Sequence, residues 1–158
     1  QFSEFEFITD DGLFQLMLKH GRVKVRTTAE EQERKNKERE KKCQLYRKAI
    51  EQLFRKRQAG ELDEVTLALS AQLLIANPDI TTVWNIRRQT LEHLQLSDEN
   101  KQERLVEELH MTEKCLRVNP KSYGSWHHRC WVLTTMPTPK WDQELALCNK
   151  YLDLDERN

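Results

Sequence analysis

Glycine and proline are scarce: there are four of each in 158 residues. Few breakers in so many residues leave long helices rather than many short elements. From residue 60 onward Gly60, Pro78, Pro120, Pro137 and Pro139 sit at or near breaks between periodic segments. Cysteine is equally sparse. Cys43, Cys115, Cys130 and Cys148 include no C-x-x-C pair, so neither a zinc knuckle nor a disulfide framework is supported and the four read as reduced thiols. No stretch approaches the roughly 18 consecutive apolar residues of a membrane span. No signal peptide is visible either, and the chain is expected to be intracellular, in the cytoplasm.

Charge of either sign is abundant, with 33% charged against 37% hydrophobic residues, which fits a helical domain with a real core rather than a disordered chain. The net charge of +0 hides an asymmetry. Residues 22–57 hold 14 Lys/Arg against 6 Asp/Glu, and residues 60–158 hold 11 against 16. A basic stripe of this kind can meet nucleic acid. Here Glu30, Glu31, Glu33, Glu38 and Glu40 interleave with it and would repel phosphate, so a solvated helix face is the better reading and no nucleic acid is expected as a partner.

Residues 1–19 look foreign to the rest. Four of the five Phe (Phe2, Phe5, Phe7, Phe14) fall there, and the segment reads as an atypical leader that does not dock on the helical body. Residues 20–60 form a charged N-terminal helix region. Its helix should begin near Thr28, with Glu31 placed three residues on as in a capping box, and should end at Gly60. Apolar positions Leu45, Ile50, Leu53 and Phe54 come only in its second half, which is the half expected to pack. Further helices are predicted over about 62–76, 81–96, 99–118, 122–136 and 141–154, with Asn77 ending one in a left-handed conformation and Ser122 capping another.

One word is written twice in residues 61–158. Asn77-Pro78 is followed by Trp84 and Arg87, and Asn119-Pro120 by Trp126 and Arg129, all four residues recurring at an offset of 42. Self-similarity at such a period marks stacked supersecondary units. The fold class is therefore all-α, a superhelix of stacked antiparallel helical hairpins. In each second helix the Trp lies three residues before the Arg, on one face. The indole can fill the seam between helices, and the guanidinium can bond helix-terminal carbonyls or a carboxylate of the next repeat. A third copy opens with Trp141 to Leu154, and Asp155 aligns with Asn77 and Asn119. Its matching Trp would lie past Asn158, so this repeat is expected to be incomplete and the chain an N-terminal fragment of a longer subunit.

An all-α repeat with Asn-Pro, Trp and then Arg resembles the protein prenyltransferase α-subunit repeat. The likeness is to the Rab geranylgeranyltransferase type, through His20 to Val25, Arg57 to Glu64 and Asn119 to Trp131. The resemblance implies an α/β heterodimer that transfers geranylgeranyl from geranylgeranyl diphosphate to C-terminal cysteines of Rab GTPases presented by a Rab escort protein. In that family the β subunit carries the zinc and most of the isoprenoid pocket, so no cofactor is expected on this chain and no metal ligands are assigned to it.

The family's α subunit contributes a catalytic lysine directly after the Pro of the second word, which is Lys121 here, while the first word has Asp79 at that place. A cation there can stabilise the negative charge that builds on departing diphosphate. Tyr123 is implied as a further substrate-binding residue lining the subunit cleft. Relatives that prenylate C-a-a-X boxes carry a glutamine where this chain has Gly124, a departure that favours the Rab type. His127 and His128 point about 100° apart on a helix and cannot converge on one ion unaided; packing and hydrogen bonding to the neighbouring subunit is the reading they support. The competing function is a non-catalytic adaptor of the tetratricopeptide kind. Its fixed period of 34 residues does not fit words spaced 42 and then 36 apart.

Overall fold

A computed structural model describes residues 28–94 and 98–157. The leader, and the His20 to Val25 part of the resemblance, lie outside these residues. Among the described residues there are six helices and no strand: α1 (Ala29–Gln58), α2 (Glu64–Ala76), α3 (Thr81–His93), α4 (Asp98–Val118), α5 (Tyr123–Thr135) and α6 (Trp141–Leu154). No helix among them is long and apolar enough to cross a membrane.

Local chemistry accounts for the helix ends. Thr28 Oγ1 accepts the Glu31 amide at 3.3 Å, whereas the Glu31 side chain pairs with Lys35 rather than returning to the cap. At the other end of α1 the amide of Gly60 donates to Arg57 and that of Glu61 to Lys56. Gly60 has φ 74, so this is a Schellman stop that a residue without Cβ adopts freely. Asp63 caps α2 by accepting the Thr66 amide at 2.9 Å, and Ser122 caps α5.

Asn77 departs from expectation. It ends α2 in extended backbone, φ −147 and ψ 96, not in the left-handed region. A proline follows it, and the Pro ring disfavours helical conformations in the preceding residue. The Asn77 side chain instead accepts the Asp79 amide at 3.2 Å, and Asn119 and Asp155 do the same for Lys121 and Arg157.

Short Asn-Pro connections fold α2 against α3 and α4 against α5 as two hairpins, which stack with α2 on α4 and α3 on α5; α1 lies on α2. One apolar cluster joins Ala49 and Leu53 of α1 to Leu69, Leu73 and Leu74 of α2, Val83, Trp84 and Ile86 of α3, and Met111 and Cys115 of α4. At about 1.5–3 kcal/mol for each large side chain buried, it holds three layers together. A smaller cluster of Leu105, Val132, Leu133 and Met136 closes the second hairpin. The first half of α1 is exposed, and among its buried residues are Ala49 and Leu53, both in the second half.

Candidate functional site at the repeat junctions

The recurring Trp and Arg do the same work in both copies. Trp84 Nε1 donates to the Pro78 carbonyl and Trp126 Nε1 to the Pro120 carbonyl, each at 2.8 Å. Each indole thereby ties its helix back to the Asn-Pro turn that precedes it. Arg87 Nη1 donates to Leu67 O at 2.6 Å and Ser70 Oγ at 2.9 Å. Arg129 Nη1 donates to Leu109 O at 2.9 Å and Thr112 Oγ1 at 3.0 Å. In both cases the rest of the guanidinium reaches forward to a glutamate of the next repeat, Glu108 for Arg87 and Glu144 for Arg129. A planar fork of five donors suits this double duty.

Glu108 is fully buried, and it also accepts from His128 Nε2 at 3.0 Å. Burial alone would raise its carboxyl pKa; the hydrogen bond from His128 and the charge of Arg87 prevail and hold it at about 2. Burial pushes His128 down from its ordinary value, so a neutral imidazole donating through Nε2 fits the site. The ring lies between Trp84, 4.5 Å between centroids, and Trp131 at 5.3 Å. His128 thus packs inside its own chain, which corrects the expectation that it faces a neighbouring subunit. Of the two, His127 is the one at the surface, exposed and 3.5 Å from Arg88.

Gly124 also has a reason that the sequence concealed. A Cβ built there would lie 2.8 Å from Trp84 Nε1 and 3.0 Å from the Pro78 carbonyl. The glycine lets α5 close on the tryptophan of the preceding repeat, where Ser122 Oγ donates to the same Pro78 carbonyl at 3.0 Å.

Lys121 and Tyr123 lie on the outer edge of this junction. Tyr123, the first residue of α5, is 90% exposed. The Lys121 side chain is 48% exposed, and its Nζ lies 2.7 Å from Asp155 Oδ2. That hydrogen bond from Lys121 holds the Asp155 carboxyl well below the usual carboxylate range. The preceding junction has the same contact in another chemistry, Asn119 Nδ2 donating to Asp79 Oδ2 at 2.9 Å. Neither Lys121 nor Tyr123 lines the groove of about 300 Å³ between α4 and α6, where Val106, Leu109, Met136 and Leu147 meet Arg129 and Glu144.

No group of three or more His, Cys, Asp or Glu among the described residues is arranged to hold a metal ion. The cysteines are free. Cys115 is buried and its thiol is pushed up to about 12, which leaves no thiolate to act as a nucleophile.

Comparison with known proteins matches one of the two hairpins to a family model and most of the chain to curated relatives. The protein prenyltransferase alpha subunit repeat matches residues 105–136, which take in Glu108, Lys121 and Arg129. The geranylgeranyl transferase type-2 subunit alpha of Rattus norvegicus is 54% identical over 141 residues, covering 88% of this chain and 25% of the relative. That of Homo sapiens matches with the same identity and coverage. The Dictyostelium discoideum protein is 34% identical over 143 residues, 88% of this chain and 46% of its own length. The chain therefore spans about a quarter of the mammalian relatives. It carries the protein prenyltransferase α-subunit repeat, and along 88% of its length it is similar to geranylgeranyl transferase type-2 α subunits.

Proposed function

We propose that this chain serves as part of the α subunit of a Rab-type protein geranylgeranyltransferase. Its stacked hairpins scaffold a β subunit, and Lys121 contributes a cation to the site where geranylgeranyl diphosphate loses its diphosphate. What supports the reading is the 54% identity to geranylgeranyl transferase type-2 α subunits together with the setting of Lys121. The observation that carries it is that Lys121 and Tyr123 form an open edge, half-exposed cation and exposed phenol two residues apart, set outside the groove between α4 and α6. Such an edge becomes a site when a second subunit faces it.

The chemistry follows from charge. Breaking the bond between the prenyl carbon and the diphosphate oxygen leaves negative charge on the leaving group. An ammonium held nearby gains attraction as that charge develops, so it lowers the barrier more than it tightens ground-state binding. The β subunit would supply the zinc that activates the acceptor cysteine, and the Rab escort protein would present the Rab substrate. This chain by itself is expected to be inactive, so the test uses the complete subunit: co-expressed with a prenyltransferase β subunit it should give a heterodimer, and Lys121→Ala in it should lower single-turnover transfer by about tenfold to a hundredfold. Failure to form the heterodimer, or an unchanged rate, would refute the proposal.

A further inference from the structure

We propose that Asp155 is a positioning residue for Lys121, holding its ammonium at the edge where the leaving group is released. The inference rests on the function proposed above and deepens it. Each junction joins the residue after the proline to the Asx residue of the next repeat. At the first junction that pair is Asp79 with the amide of Asn119, and at the second it is Lys121 with the carboxylate of Asp155. Both members change character together. Where the residue after the proline is an acid the next Asx is an amide, and where it is a lysine the next Asx is an acid.

The turn itself does not require an acid at position 155. Asn77 and Asn119 accept the amide two residues on with their side-chain oxygens, as Asp155 does with Arg157. Asparagine therefore satisfies the local geometry, and the charge is the addition: Asp155 Oδ2 pairs with Lys121 Nζ at 2.7 Å, while Oδ1, which accepts the Arg157 amide, makes a longer contact, 3.4 Å, with the exposed Arg157 Nε. A lysine on a four-carbon stem samples many rotamers. One N–H of the ammonium directed at Asp155 fixes the stem and leaves two donors for phosphate oxygens.

Asp155→Asn separates turn from charge, since it places at the third copy the residue the first two already use. In the α/β heterodimer, with geranylgeranyl diphosphate as the varied substrate, kcat/KM is expected to fall about fivefold, the scale of a well-placed exposed ion pair. In a Lys121→Ala background the same substitution should have no further effect, because there is no ammonium left to hold. Asp155→Glu should recover part of the loss. An unchanged or raised kcat/KM for Asp155→Asn while Lys121→Ala is impaired would overturn the positioning role alone. Losses that multiply in the double variant would do the same. An unaffected Lys121→Ala enzyme would sink both this inference and the function on which it rests.

Discussion

At the first junction Arg87 reaches back to Leu67 and Ser70 and forward to Glu108; at the second Arg129 reaches back to Leu109 and Thr112 and forward to Glu144. The parts are the same and the closure differs. Around Arg87 the next hairpin lays His128, Ser122 and Gly124 over Trp84, leaving the indole 1% exposed. Around Arg129 the cover is α6 alone, and Trp126 stays half-buried against Tyr151. Recurring residues therefore build each junction, and residues of the following hairpin decide how dry it becomes. Thr66 occupies the register of Glu108 in the first hairpin, and there the side chain bonds locally, to Glu61 and Asp63.

The largest test of that difference is removal of each arginine. Arg87→Ala strands a buried carboxylate and should cost about 3–5 kcal/mol in urea unfolding. Arg129→Ala should cost less, about 1–3 kcal/mol, because the Glu144 side chain is 12% exposed and water can reach it. Equal losses would mean that the second junction is as dry as the first.

Acid should find the first junction next. Glu108 has a folded pKa of about 2 against an ordinary 4.5, so its stabilisation is full above pH 4.5 and disappears as pH falls through 2. The shift corresponds to about 3 kcal/mol. His128 acts at higher pH. Its folded pKa is lowered from 6.5, so the unfolded chain takes up the proton first and stability declines as pH drops below 6.5. Urea midpoints measured from pH 8 to 3 should fall in two limbs. In His128→Gln, whose amide can still donate to Glu108, the upper limb should vanish while the lower one remains.

Gly124→Ala offers a comparison in one register. The added Cβ would meet a rigid indole at 2.8 Å, with an expected cost of about 1–3 kcal/mol despite the better helix propensity of alanine. Thr82 holds the equivalent place in the first hairpin, is exposed, and already carries a Cβ. Thr82→Ala should stay within about 0.5 kcal/mol. Trp84 fluorescence would report whether the indole has been displaced.

Helix count and hairpin stacking were legible in the sequence because proline, asparagine and apolar spacing act locally. The range 141–154 matches α6, and 122–136 brackets Tyr123–Thr135. The interior of the junction was harder to read because its partners are remote. Nothing local distinguishes Glu108 from its neighbour Glu107. The offset of 36 that maps Asn119 onto Asp155 also maps Glu108 onto Glu144, and that signal could have found the pair. Gly124 looked like a missing side-chain donor, since sequence shows the residue at a position but not the indole lying against it. The reading of Asn77 as left-handed weighed its own preference above the constraint imposed by Pro78.

The smallest effect is expected at the outer edge. Asp79 with Asn119 and Lys121 with Asp155 each join an exposed side chain to a half-buried one at the surface, where attraction is offset by lost rotamer freedom and weakened by salt. Asp79→Ala and Lys121→Ala should both leave the urea midpoint where it is, in low and in high salt. This small number decides how the larger functional one is read. If Lys121→Ala unfolds no more readily than the parent chain, a slower transfer in that variant reports a missing charge at the leaving group. If its midpoint falls as far as that of Gly124→Ala, the lysine pins the third repeat to the second, and the slower transfer reports a loosened stack.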